Sequence, residues 1–297
     1  MNRPAMRIAI TLLLLAIALL TARAAPGFFD FWMLPKIWIA AILCITALIL
    51  LVSGRVRRNL RLVFMILAFF AFGVLSALPL GEFARGMGLH PSPLCVVEKP
   101  FLFLESGRGV PLVFISVFTY IALLTIAGNK LFCGWVCPVG ALQEIVHRLP
   151  LPDRWRVRIP FRISNGLRIA LLLAFFLLLF SAGRTLYDPI NPFHMLHWHF
   201  SWAVVIPFAV VLLLSLPIYR PFCYLACPLG LVTWGLEHLS LFRVRLDRKV
   251  CTDCALCLKK SPCPAVGAVL DQSRSRPDCH ACGRCIEVCP EDALSFK

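Results

Sequence analysis

Charge is what this sequence of 297 residues has least of: Asp, Glu, Lys and Arg make up 15%, against 60% hydrophobic residues. So little charge cannot cover the surface of a soluble two-domain protein, which leaves a membrane protein. Acid is scarcer still, with 15 Asp and Glu facing 30 Lys and Arg, a net charge of +15. The basic excess collects between long apolar runs and forms no stripe interleaved with aromatics. That pattern orients a chain in a membrane and argues against nucleic acid as a partner. A dinucleotide fingerprint, a nucleotide-phosphate loop and a flavin motif are also missing, which disfavours a dehydrogenase acting on soluble substrates. Ionisable residues are few within the apolar runs, which weakens a transporter reading.

What is present is a series of apolar runs. A span needs roughly 20 mostly apolar residues, and six segments qualify: 6–25, 34–52, 60–80, 110–128, 165–183 and 201–218. The loop after the second holds Arg55, Arg57, Arg58 and Arg61, and the loop after the fourth holds Lys130, Arg148, Arg154, Arg156, Arg158 and Arg162. The alternate loops are poorer in base, so both termini face the cytoplasm of a multi-pass protein in a bacterial inner membrane. The first run also fits a signal peptide, with Arg3 and Arg7 ahead of it and Ala22-Arg23-Ala24 as a small-residue cleavage site. Cleavage would leave five spans and the same cytoplasmic tail.

The chain has 14 cysteines, eight of them in its last 47 residues. From Cys251 the sequence reads CTDCALCLKKSPCP, and from Cys279 it reads CHACGRCIEVCP. The second run matches the C-x2-C-x2-C-x3-C-P spacing of bacterial 4Fe–4S sites, in which the fourth cysteine serves the neighbouring cluster. Cys251, Cys254, Cys257 and Cys289 are therefore expected to hold one cluster, and Cys279, Cys282, Cys285 and Cys263 the other. Pro264 and Pro290 fix the backbone where the chain leaves each site. The first run departs from the pattern, since Lys259-Lys260-Ser261-Pro262 lengthens the loop before Cys263. A longer loop is expected to leave its cluster more exposed and differently poised. Zinc and disulfides compete as explanations. Zinc needs only four ligands per site, whereas a third cysteine follows at once here, and a cytoplasmic tail lies in a reducing compartment.

Four further cysteines form two matching pairs. LFCGWVCPVGAL holds Cys133 and Cys137, PFCYLACPLGLV holds Cys223 and Cys227, and each follows an apolar span. The match reads as an internal repeat whose halves pack together. At i and i+4 the two thiols share one face if the helix continues, and four thiolates would suit a further cluster or a metal ion. Packing of a helix end is the structural alternative, because buried cysteine behaves as a small hydrophobe; a redox dithiol is another. Cys44 and Cys95 are solitary and carry no assigned chemistry. The expected fold is thus an all-α polytopic membrane bundle of about six transmembrane helices over 1–245, with a small α+β two-cluster ferredoxin-like domain over 246–297.

Two C-x3-C-P motifs at span ends followed by a two-cluster tail resemble the NapH/NosR/MauN-type polytopic membrane ferredoxins, from about Leu60 to the C-terminus. The resemblance implies quinol-linked electron transfer that supports a periplasmic reductase or dehydrogenase, or its maturation. It implies the membrane and quinone pool and a partner redox protein, a cytochrome or ferredoxin, as partners. Six candidate spans differ from the four of the nitrate-related member, and the flavin domain of the nitrous-oxide-related member is absent, so the pathway stays open. The plan is nearest to the methylamine-utilisation member.

A quinol site needs an apolar slot with groups that accept protons. YDPINPFHMLHWHF offers Asp188, His194, His197 and His199 beside aromatics, although an interfacial aromatic belt reads the same way. Glu98 is a second periplasmic candidate, or else a solvated charge paired with Lys99. At the cytoplasmic edge stand Trp135, Gln143, Glu144 and His147. A periplasmic site would lie a membrane width from the tail, so both locations are kept.

Overall fold

The computed structural model describes residues 27–88, 90–198, 200–272 and 278–297. The expected first span, 6–25, and His199 lie outside the described residues.

The apolar runs become helices where leucine, isoleucine and phenylalanine continue, and Pro100 and Pro207 are tolerated inside two of them. We number the principal ones α1 (Pro35–Val52), α2 (Arg58–Phe69), α3 (Cys95–Glu105), α4 (Leu112–Gly128), α5 (Pro138–His147), α6 (Phe161–Ala182), α7 (Trp202–Ser215) and α8 (Pro228–Glu237). Helix α2 runs on through a π-helical turn, Phe70–Val74, and a 3-10 turn, Leu75–Ala77. Among the described residues, three stretches are long and apolar enough to cross a membrane: Pro35–Val52, Arg58–Ala77 and Phe161–Ala182. Their outer faces carry exposed Trp38, Ile42, Ile45, Leu173, Leu177 and Phe180, which belong against lipid and not water.

The expected fourth and sixth spans are shorter than read from sequence. Helix α4 has 17 residues and α7 has 14. Pro111 sets the start of α4, and Pro217 closes α7 because its ring nitrogen carries no N–H to continue the helical ladder. At 1.5 Å per residue α7 rises about 21 Å, less than the roughly 30 Å hydrocarbon core. The chain therefore dips back between α6 and α7, through the short helix Phe193–Leu196.

The tail closes on itself through a two-stranded antiparallel sheet, β1 (Val244–Leu246) with β2 (Leu294–Phe296), in the register Val244↔Phe296. Strand β1 runs across the expected boundary between 245 and 246. Between the strands lie the two cysteine runs and the short helices Leu256–Lys260, Val266–Leu270 and Arg284–Glu287. The tail is packed on the bundle: β2 contacts α1, and Gly283 sits where an added Cβ would meet Leu51 and Val56 at 3.0 Å. Gly283 also has φ +70°, a left-handed conformation that glycine adopts without strain.

Candidate functional site

The eight tail cysteines fall into two groups in space. Cys251, Cys254, Cys257 and Cys289 line one cavity of about 230 Å³, together with Pro290. Cys263, Cys279, Cys282 and Cys285 line a second, tighter cavity under Val244 and Val266. Each run thus sends its fourth cysteine to the other's group. The first group is the more open, with Cys254 exposed, while all four thiols of the second are buried. The longer loop leaves Cys263 itself buried. Ser261 is fully buried beneath that loop, and its Oγ accepts from the Cys263 amide at 3.3 Å. Within the second group the Cys263 and Cys282 thiols share a hydrogen bond, which lowers Cys282 and raises Cys263.

The membrane-edge pairs are not two turns of one continuing helix, as the i, i+4 spacing allowed. Cys133 sits in a π-helical turn, Phe132–Val136, and Cys223 in the short helix Pro221–Leu225. Cys137 and Cys227 take extended ψ values of 115° and 114° and become the N-caps of α5 and α8. Pro138 and Pro228 force that break and then serve as the first helical residue. The amides of Gly140 and Gly230 donate to Cys137 and Cys227 respectively. These four thiols lie near enough that each thiolate would raise the others. Burial pushes Cys133 up to about 11 and Cys227 up to about 12, so without a cation both stay neutral.

Each motif is held by a cation contributed from the other. Lys130 and Arg220, three residues ahead of Cys133 and Cys223, both have positive φ, 63° and 49°, and both are fully buried. Non-glycine residues are strained there by roughly 1–3 kcal/mol each, and buried ion pairs oppose that strain. Arg220 donates to the carbonyls of Cys133 at 2.7 Å and Gly134 at 3.1 Å, and to Glu144 on α5 at 2.7 Å. Lys130 donates to the Gly230 carbonyl at 2.9 Å and faces Glu237 on α8 at 3.8 Å. Neither exchange was legible in the sequence, where Lys130 read only as basic loop charge and Arg220 drew no reading.

Glu144 is the centre of the first network. Its carboxylate accepts from Arg61 at 2.7 and 2.9 Å, from Arg148 at 2.9 Å, from Arg220 at 2.7 Å and from the Tyr219 hydroxyl at 2.8 Å. Burial alone would raise this carboxyl, but the Arg61 and Arg220 guanidiniums hold it well below the usual carboxylate range. It is therefore fixed as an anion and unsuited to accept a proton. Burial keeps His147 below its usual value, and its Nδ1 faces the Ser215 carbonyl at 3.1 Å. Gln143 bridges from the Val139 carbonyl to the Cys223 sulfur, 3.5 Å away, and accepts from the Phe222 amide.

The second run lies against the membrane-edge loop. Trp135, between Cys133 and Cys137, donates to the Ala281 carbonyl at 2.9 Å, and Tyr224, next to Cys223, donates to the Asp278 carbonyl at 3.0 Å. Asn129 donates to the Cys279 carbonyl at 3.0 Å. Asp278 is fully buried between Arg168, at 2.6 Å, and Lys130. The approach is so close that a Cβ on Gly134 would meet the His280 carbonyl oxygen at 2.1 Å. His280 is buried against Tyr224, with ring centroids 4.9 Å apart.

On the opposite side Glu98 is not the solvated charge its loop suggested. Its side chain is fully buried on α3, with Lys99 at 3.5 Å and the Thr185 hydroxyl donating at 3.1 Å, and burial raises its carboxyl. Lys99 also faces Asp188 at 3.6 Å, and Asp188 faces His194 at 3.5 Å. His197 packs edge-on against His90. The Tyr187 phenol, fully buried, feels the charges of both Glu98 and Cys227. The short α7 is why the two sides come near. Cys44 and Cys95 are both buried, Cys44 within electrostatic reach of Cys133 and Cys95 within reach of Glu98 and Lys99.

Comparison with known proteins agrees with the cysteine chemistry. A family model described as a 4Fe-4S binding domain matches residues 110–159 and again 200–248, and a second of the same description matches 277–295. The chain is 27% identical over 238 residues to the ferredoxin-type protein NapH of Haemophilus influenzae, covering 73% of this chain and 79% of that one. It is 33% identical over 215 residues to the putative electron transport protein YccM of Escherichia coli, covering 65% and 57%. A match to the regulatory protein NosR of Pseudomonas aeruginosa is 29% identical over 185 residues, covering 59% and 26%. No solved structure matches the chain.

Proposed function

Since the chain belongs to the NapH/NosR/MauN-type family of 4Fe–4S ferredoxins, we propose that it is a membrane-bound iron–sulfur protein passing electrons between the quinol pool and a partner redox protein. The observation that carries this reading is the contact between Trp135 and Tyr224, beside the membrane-edge cysteines, and the backbone of the second cysteine run. In a redox protein that contact brings tail and membrane edge together without intervening water.

Cys251, Cys254, Cys257 and Cys289 hold one 4Fe–4S cluster, and Cys263, Cys279, Cys282 and Cys285 hold the second. Both groups fit the cofactor: each supplies four thiols around its own cavity. Cys133, Cys137, Cys223 and Cys227 hold a further cluster or metal ion. Their fit rests on four crowded thiols, with amide donors aimed at Cys137 and Cys227. When bound, such clusters take up and release single electrons. The chain's own part is to fix the ligands and to manage protons. Arg61 and Arg220 hold Glu144 ionised, which locks the Gly134 loop that carries Trp135. On the far side Glu98, raised by burial and set beside Lys99, Asp188 and His194, is the group placed to accept a quinol proton. The tail faces the cytoplasm and the Glu98 group the periplasm, as the loop charges require.

A different class of function, maturation or reactivation of a periplasmic redox enzyme, would use the same cysteines. Anaerobic proteoliposomes supplied with a reduced quinol analogue and an artificial acceptor separate the two. Many turnovers per chain support electron transfer, and a single stoichiometric event supports the maturation role.

A further inference from the structure

A cavity of about 550 Å³ opens where the membrane-edge connections meet the tail. Arg58, Arg61 and Arg148 line it from the bundle, Arg158 from the connection after α5, and Lys259 and Lys260 from the tail. Glu144 is the one carboxylate in that wall, and its oxygens are already taken by Arg61, Arg148, Arg220 and Tyr219. The cavity therefore carries far more positive charge than its one carboxylate balances. Arg61 adds an independent sign of a missing partner: its side chain is 2% exposed, and its Nη1 has no hydrogen-bond acceptor.

The unusual feature of the first cysteine run ends here too. The two residues by which its loop exceeds the ordinary spacing bring Lys259 and Lys260 to the cavity, where both are exposed. Arg158 holds that loop in place by donating to the carbonyls of Leu258 and Lys259. Cys282 lies in the same wall. A volume in the range of small-molecule sites, roughly 300–1,000 Å³, and a floor of fixed guanidiniums suit a compact anion better than a flat protein face.

We infer that this cavity binds a phosphate ester, seated between the guanidiniums of the bundle and the two lysines of the tail. Two sources share that chemistry, the headgroup of an anionic lipid at the membrane edge and a soluble phosphate ester such as a nucleotide. Binding stands apart from the electron-transfer reading, because occupancy is measured whatever the clusters do.

The test uses the full-length protein with its clusters, in nanodiscs of phosphatidylcholine, titrated calorimetrically with inorganic pyrophosphate. One saturable site is expected, weakened about tenfold in Lys259→Gln/Lys260→Gln, both exposed positions, and weakened further by added salt. In discs containing phosphatidylglycerol, loss of the pyrophosphate site identifies lipid as the source, and its persistence identifies a soluble ester. Absence of saturable binding in phosphatidylcholine, or equal binding by the double variant, overturns the inference. So does displacement of pyrophosphate by a glutamate-rich peptide at lower concentration than by a nucleotide, which would make the cavity part of a protein-docking face.

Discussion

Gly134→Ala tests the seal between membrane edge and tail. An added Cβ would stand 2.1 Å from the His280 carbonyl oxygen, a backbone atom that cannot swing aside. Restoring ordinary contact requires about 1 Å of separation, because real Cβ atoms essentially never approach within 3.0 Å. That displacement stretches the bonds from Trp135 to Ala281, at 2.9 Å, and from Asn129 to Cys279, at 3.0 Å, beyond useful length. A buried polar group left unpaired costs about 1–3 kcal/mol, so losing both weakens tail docking by about 2–6 kcal/mol. At about 1.4 kcal/mol per tenfold, amide exchange across 278–285 should speed by about thirtyfold at the low end of that range and by about 10,000-fold at the high end, read by hydrogen–deuterium exchange on the detergent-solubilised protein. Gly267→Ala is the control, since a Cβ there has open space. Native-like exchange in Gly134→Ala would refute the contact.

Replacing Glu144 by Gln leaves Arg61 and Arg220 buried without their anion and should destabilise the protein by about 3–5 kcal/mol; unchanged thermal unfolding would contradict the network. His147 is held below its usual value by burial. The folded state therefore resists its protonation, so its stability contribution is complete above about pH 6.5 and is lost as pH falls through the lower folded value. Tm followed from about pH 7.5 to 5 should drop more in the parent protein than in His147→Gln, and parallel curves would count against this. Cys289→Ser should damage the cluster held by Cys251, Cys254 and Cys257 and spare the other, whereas Cys263→Ser should do the reverse. Electron paramagnetic resonance of the two variants reads the difference, and loss of the nearer cluster in sequence would deny the exchange.

The tail was legible because cysteine spacing is a local signal: the fourth ligand's exchange follows from a few residues of chain. The apolar runs were legible as helices, yet not their lengths. Pro217 shortens α7 and Pro138 turns the expected cysteine face into an N-cap, and those local rules gave way to a global reading of hydropathy. Ion pairs were out of reach. Arg61 meets Glu144 across 83 residues and Arg168 meets Asp278 across 110, and no spacing rule joins positions so distant. Of the two readings kept for Glu98, the solvated charge falls for the same reason, since its burial beside Thr185 depends on a residue arriving from another connection. Lys130 and Arg220 carried a faint signal, the same offset ahead of Cys133 and Cys223, that the repeat could have supplied.

The most direct test of the central claim is the iron and acid-labile sulfide content of the anaerobically purified chain, with paramagnetic resonance before and after a reduced quinol analogue. The account predicts about eight irons in the tail, about twelve if the membrane-edge cysteines hold a third cluster, and cubane signals that appear on adding quinol. Zinc in place of iron would contradict it.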